Sequence, residues 1–316
     1  MLDEVTRRIS DKLRRELGSD VLAYLDDPEV IEIMLNPDSS LWIEKLGQPM
    51  EHVGEMAPIQ AESLMATVAT VLKTTIDAQN PILECELPLD GSRFEALLPP
   101  IVAAPVFTIR KKALKVYTLD EYVGQGVLTQ GQRDRIGQGV RDRANILIVG
   151  GTGSGKTTLA NAVIREIAEQ CPSDRLVLLE DTVELQPASD NAVPMRTADH
   201  VSMRRLLPRV LRLRPDRIVV GEVRDGAALD LLKAWNTGHP GGVATVHANN
   251  ARAGLIRLEQ LVAEVHSAPS QSLIADAINL VVFIAKTPKG RRVNELLEIT
   301  EFSNQQYIAI EHKESI

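Results

Sequence analysis

Along the start of the chain the apolar positions Leu2, Val5, Ile9, Leu13 and Leu17 recur at steps of three or four, and Gly18 follows as a stop. That rhythm predicts an amphipathic helix. Arg7, Arg8, Lys12, Arg14 and Arg15 would suit a membrane surface or a partner, but Asp3, Glu4, Asp11 and Glu16 dilute them. Packing on its own domain is therefore the expectation, with peripheral membrane association as the other use of such a helix. From Glu29 to Lys112 the pattern shortens. "EVIEIMLN" and "SLWIEKLG" read as strands parted by the turn Asn36-Pro37-Asp38, and Pro58 to Lys73 reads as a helix. "ILECELPLDGSRFEALLPP" reads as a hairpin about Asp90-Gly91, and "PVFTIRKK" adds a strand. Strands joined by short turns predict a small N-terminal α+β domain with an antiparallel sheet over residues 1–114.

A polar, glycine-bearing stretch comes next. Residues 115–130 are expected as a linker, with one helix before Arg143. After Asn145 the texture becomes strand–helix alternation, with the strands "ILIVG", "RLVLLE", "RIVVGE", "GVATVHA" and "INLVVFIA". Helices are expected from Lys156, around Met203 to Leu211, from Ala227 to Trp235 and near Leu255. Wholly apolar strands between helices mean a parallel sheet covered on both faces. "VNELLEIT" and "QQYIAIEH" alternate with period two and predict an antiparallel extension. The fold class is α/β, with a phosphate-binding C-terminal domain over residues 131–316.

Composition narrows the function. Net charge is −8 and aromatic content 3%, a poor basis for a general nucleic-acid surface, so no direct nucleic-acid binding is expected. The two cysteines, Cys85 and Cys171, are far apart and form no Cys-x-x-Cys knuckle, which fits a reducing cytoplasm. The N-terminus has no long apolar run of the kind a signal peptide or membrane span needs.

"GGTGSGKTT" follows a strand and opens a helix, the context that gives the G-x-x-x-x-G-K-T pattern its meaning. Gly150, Gly151, Gly153 and Gly155, with Thr152 and Ser154 between them, let backbone amides curl around phosphate oxygens. Lys156 brings a point charge to the terminal phosphates, Thr157 offers a hydroxyl to Mg2+, and Thr158 continues the helix whose positive end faces the anion. The cofactors expected are ATP and Mg2+.

The match extends beyond this loop. "LVLLEDTVEL", "LRLRPDRIVVGEVRDGAA" and "TGHPGGVATVHANNA" resemble the aspartate box, the variant Walker B and the histidine box of the secretion-type traffic ATPases, the motors of type II and type IV secretion. "DGSRFEALLPP" with "FTIRKKA" resembles the end of that family's N-terminal domain. In order, these cover most of residues 25 to 300. The compact length and "GGTGSGKTTLANAVI" are most similar to the conjugal-transfer ATPases of the type IV branch, and two cysteines cannot supply the four-cysteine zinc insertion typical of type II motors.

The resemblance implies a RecA-like core with sheet order 5-1-4-3-2 and all ligand-bearing loops at its carboxyl edge. It implies that Glu222 orients magnesium through its water shell, that Glu180 polarises the attacking water, and that His247 senses the terminal phosphate. Asp181, Glu184 and His239 rank behind these. Arg93 and Arg110 match the arginines that the family brings from the N-terminal domain to the nucleotide. The run Arg204, Arg205, Arg209, Arg212, Arg214 and Arg217 is expected to be solvated or at a subunit interface. The implied function is a homohexameric, cytoplasmic ATPase, peripheral to the bacterial inner membrane. It would work with inner-membrane components of a secretion or conjugation apparatus to power macromolecular transport or pilus biogenesis. A RecA-like nucleic-acid translocase is the alternative.

Overall fold

The computed structural model describes residues 2–45, 48–112, 116–198, 200–288 and 290–312, without the side chains of Leu2, Asp3, Val5 and Thr6. Leu46, Gly47 and Ala113 to Lys115, which fall in the expected second strand and at the domain boundary, lie outside them. The chain divides into two compact units, residues 1–114 and 115–316.

In the first unit the opening helix α1 spans Leu2–Asp26, longer than the apolar rhythm predicted. Gly18 does interrupt it, with φ 80 and ψ 165, a conformation that L side chains rarely adopt. A second helical segment resumes at once, and Leu13, Leu17, Val21 and Leu25 all enter the core of this unit. Strands β1 (Val30–Leu35), β2 (Ser40–Lys45), β3 (Glu51–Glu55), β4 (Ile82–Glu86), β5 (Arg93–Leu97) and β6 (Val106–Arg110) follow, with α2 (Pro58–Val71) after β3. Among the described residues they form an antiparallel sheet in the order β3-β2-β1-β6-β5-β4. Ile33, Ile43, Phe94, Phe107 and Ile109 on one face pack with Leu64, Met65 and Val68 of α2.

The second unit begins with α3 (Leu119–Gly124) and α4 (Gln130–Arg141), each opened by a capping box, Thr118 with Glu121 and Thr129 with Gln132. This corrects the expectation that residues 115–130 are a linker: Leu119, Tyr122, Val127 and Leu128 are buried in the second unit's core. The reason is amphipathic packing that the many nearby glycines and polar residues obscure.

There follow β7 (Ile146–Gly150), α5 (Lys156–Gln170), β8 (Leu176–Glu180), β9 (Ala192–Arg196), α6 (Met203–Val210), β10 (Arg217–Val220), α7 (Ala227–Asn236), β11 (Val243–His247), α8 (Ala251–Ala263), α9 (Gln271–Ala277), β12 (Leu280–Thr287), β13 (Gly290–Ser303) and β14 (Gln306–Glu311). The sheet order is β14-β13-β12-β7-β11-β10-β8-β9. Strands β12, β7, β11, β10, β8 and β9 pair in parallel, while β13 and β14 extend the sheet antiparallel. Numbering the parallel strands from β7 and leaving aside β9 gives 5-1-4-3-2, the RecA-like order that the resemblance implied. Complete burial of β7 and β8 accounts for their uninterrupted apolar sequences.

At the amino edge of this sheet a polar cluster holds the strands together. Arg217 has no solvent exposure; its Nε lies 2.6 Å from Asp174 Oδ2, and its Nη groups donate to the carbonyls of Gly241 and Val140. Arg143 takes the other oxygen of Asp174 at 2.6 Å. The expectation for the arginine run therefore fails at Arg217, which is a buried pillar and neither solvated nor at an interface. Arg204, Arg205, Arg209, Arg212 and Arg214 are exposed.

Candidate nucleotide-binding site

The loop between β7 and α5 is shaped for an anion. Gly153 (φ 67) and Gly155 (φ 95) adopt left-handed backbone that strains any L side chain. A Cβ at Gly150 would collide with the Ile284 carbonyl and the Ser154 hydroxyl. Ser154 is buried, and its Oγ has no hydrogen-bond partner among the described residues. Gly155 serves as N-cap of α5 without a side-chain cap, so the positive end of the helix faces the loop uncovered. Gly151, Thr152, Thr157 and Thr158 retain partial or full exposure around it.

Lys156 is buried to 7% exposure despite its charge. Its Nζ donates to Gly151 O at 2.9 Å and lies 3.2 Å from His247 Nε2. His247 ends β11, the strand directly beside β7, and its Nε2 stands 3.2 Å from Glu222 Oε1. Glu222 follows β10, whose end is fixed to β11 by Val223 N donating to Thr245 O and Thr245 Oγ1 donating to Gly221 O. Lys156, His247 and Glu222 thus form a continuous chain of polar contacts. His239 precedes β11 and lies toward its amino end, so the fold does not bring it to His247.

Glu222 carries a second contact that sequence reasoning missed. Arg224 Nη2 donates to Glu222 Oε2 at 2.9 Å, and its Nη1 approaches Asp181 Oδ2 at 3.8 Å. Burial pushes the Glu222 carboxyl up, but the Arg224 hydrogen bond and charge, with His247 and Lys156, hold it below its ordinary value. Burial lowers the Arg224 pKa less than Glu222 raises it. Asp181, Thr197, Ser202, Glu222, Arg224 and Asp225 line a cleft of about 220 Å³ on this side. An arginine two residues after an acid was a visible signal, but its bend back to that acid was not.

Glu180 has a different setting from Glu222. It is 4% exposed, and its Oε2 accepts the backbone N–H groups of Glu184 and Leu185 at 2.8 and 2.9 Å. Asn161 of α5 grips the same loop, donating to Glu184 O and accepting from Gln186 N. Asp181 instead accepts from Thr197 Oγ1 at 2.9 Å, at the edge strand β9.

Arg93 and Arg110 belong to the first unit and stand directly opposite each other on β5 and β6. Cross-strand partners point to one face, so the two arginines share one face of the sheet. Carboxylates flank them in the same row: Glu32 opposite Arg110, with an Oε1–Nε distance of 3.5 Å, and Glu86 opposite Arg93.

A glycine loop, a buried lysine, a histidine and an acid on the carboxyl edge of a RecA-like sheet define a nucleotide-binding class of protein. The family model described as "Type II/IV secretion system protein" matches residues 16–306, and the chain belongs to that family. It is 54% identical over 300 residues to a probable conjugal transfer protein TrbB of Sinorhizobium fredii, covering 95% of this chain and 92% of the relative. It is 29% identical to the type IV secretion system protein VirB11 of Bartonella quintana, with 89% and 90% of the two chains covered. The solved Legionella pneumophila ATPase DotB shares the fold at TM-score 0.64 and 21% identity, over 90% of this chain and 80% of that one. The resemblance to secretion-type traffic ATPases thus holds along the chain, and these relatives do not favour the nucleic-acid translocase alternative. Among the described residues, no helix is long and apolar enough to cross a membrane.

Proposed function

We propose that the chain is a Mg2+-dependent ATPase that powers a conjugative type IV secretion apparatus. The observation that carries this reading is the Lys156–His247–Glu222 contact chain at the mouth of the glycine loop. The glycine loop fits a nucleotide's phosphates: the left-handed glycines, the Ser154 hydroxyl without a partner among the described residues and the uncapped start of α5 are what an anion would complete. The backbone of residues 151–158 and Lys156 bind the phosphates, and His247, beside Lys156, registers the terminal one. Thr157 and Glu222 are the residues that would hold magnesium, Glu222 through the ion's water shell. When bound, the ion neutralises phosphate oxygens during transfer. Glu180 orients the attacking water, with one oxygen also anchoring the loop from Asp181 to Leu185.

The reading assigns Arg93 and Arg110 to the charge that builds on the terminal phosphate, supplied from the N-terminal unit. Ring assembly into a homohexamer would complete each site, and movement of the N-terminal domains would be the mechanical output. The TrbB and VirB11 relatives, named for conjugal transfer and type IV secretion, support the conjugative setting; the reading adds contact with inner-membrane components on the cytoplasmic side.

The test is Glu222→Gln. Turnover should fall by about 100-fold or more, roughly 3 kcal/mol of barrier, while nucleotide affinity changes little. In the host, the same substitution should abolish conjugative transfer. Wild-type hydrolysis by the variant would sink the assignment of Glu222, and transfer without any hydrolysis would sink the motor reading.

A further inference from the structure

We infer that Arg291 is a nucleotide-binding residue that takes the α-phosphate and ribose end of the nucleotide; this rests on the site proposed above. Arg291 lies near the start of β13, immediately after the hairpin turn from β12, and is paired in register with Lys286. Strand β12 flanks β7 on the side opposite β11. The position is braced from two directions. Val293 N donates to Val127 O at 2.8 Å, Gln132 Nε2 donates to Val293 O at 3.2 Å, and Thr287 Oγ1 donates to Gly290 O at 2.7 Å.

From this base the side chain lies across the glycine loop. Arg291 Nε donates to Gly153 O at 3.2 Å, and a Cβ on Gly155 would stand 2.9 Å from Arg291 Cδ. Gly155 is therefore required twice, for its positive φ and for the room it leaves this arginine. The Nη groups have no hydrogen-bond partner, and the guanidinium no carboxylate partner, among the described residues. A half-buried cation without an acid, in a chain of net charge −8, is placed for an incoming anion.

Direction follows from the sheet order. Lys156, His247 and Glu222 stand toward β11 and β10 and hold the terminal phosphate, so the nucleotide runs from them toward β12. Its nucleoside end reaches Arg291. With Nε engaged by the loop, the remaining edge of the guanidinium fork presents two donors to an α-phosphate oxygen and a ribose hydroxyl.

The test compares calorimetric binding of ADP, ATP and inorganic tripolyphosphate, each with magnesium, by the wild type, Arg291→Gln and Arg291→Lys. Steady-state kinetics of the assembled enzyme accompany it. Arg291→Gln should weaken both nucleotides about tenfold and raise KM to match, with kcat within about twofold; tripolyphosphate, whose third phosphate fills the α position but which has no ribose, should weaken less, by about threefold, and Arg291→Lys should recover part of the loss. The inference is overturned if ADP binds Arg291→Gln as it binds the wild type. It is equally overturned if tripolyphosphate affinity falls as far as ADP affinity and kcat falls with them, the signature of an arginine that only braces the loop. A wild-type protein that binds tripolyphosphate but no nucleotide would overturn the proposed function along with it, whereas loss confined to Arg291→Gln concerns this residue alone.

Discussion

At the amino edge of the C-terminal sheet, Arg217 meets Asp174 at 2.6 Å with exposures of 0% and 7%. At the carboxyl edge, Arg224 meets Glu222 at 2.9 Å with exposures of 52% and 22%. The pairs are chemically alike and belong to the same set of strands, yet their surroundings give them opposite uses. Opening the buried pair would strand a charge without water, so it locks β10 to the elements around it. The exposed pair is screened and gains little from being closed, so Glu222 can exchange Arg224 for a new partner at small cost. On the proposed function, that freedom lets Glu222 turn toward the nucleotide's metal beside the glycine loop.

The comparison breaks first at Asp174. Asp174→Ala should cost about 3–5 kcal/mol of unfolding free energy, read from denaturant midpoints, because it leaves the Arg217 guanidinium buried and half-partnered. A loss below about 1 kcal/mol would mean that the two pairs do not differ in kind.

Glu180→Gln sharpens it next. This side chain is as buried as Asp174 but sits at the working edge, so it tests whether burial or position decides. Glutamine keeps an acceptor oxygen for the Glu184 and Leu185 amides and removes the charge. If Glu180 orients water, turnover should fall about 100-fold with folding stability within about 1 kcal/mol of the wild type. Turnover within threefold of the wild type would reduce Glu180 to a loop anchor.

The smallest effect concerns pH. The Glu222 carboxyl titrates below its ordinary value of 4.5 in the folded chain, so its stabilisation is fully present above that value and is lost as pH falls through the lowered one. Glu222→Gln should therefore lower stability slightly at neutral pH, converge with the wild type as pH falls through the lowered value, and so flatten part of the acid limb below about pH 4.5. An identical acid limb in both proteins would show that Arg224 does not hold Glu222 ionised.

Much of this architecture was legible where the cause is local. The glycine loop needs left-handed backbone at fixed positions, and a buried parallel strand must be apolar throughout, so both leave a mark in consecutive residues. Strand order was legible only through the family resemblance, because nothing within one strand names its neighbour. Strand β9 escaped notice because Pro194 breaks the usual strand signal; it is tolerated there since β9 is an edge. Helix α9, Gln271–Ala277, is too short to display a period. Arg217 was grouped with its exposed neighbours because its partner Asp174 lies 43 residues away and only the fold brings them together. The same long-range cause hid the reach of Arg291 across the loop, whereas the two amides on Glu180 come from only four and five residues away and were hidden by the irregular path of the loop that carries them.

Asn161 gives the site a mechanical property. Its amide joins helix α5, which starts at Lys156, to the carbonyl of Glu184 and the N–H of Gln186. Two attachments two residues apart leave the loop little freedom to pivot about the contact, so the loop is geared to the helix. A displacement of α5 at its Lys156 end would reach the acidic loop through both attachments. On the proposed function, a shift of α5 on nucleotide binding would carry the acidic loop with it.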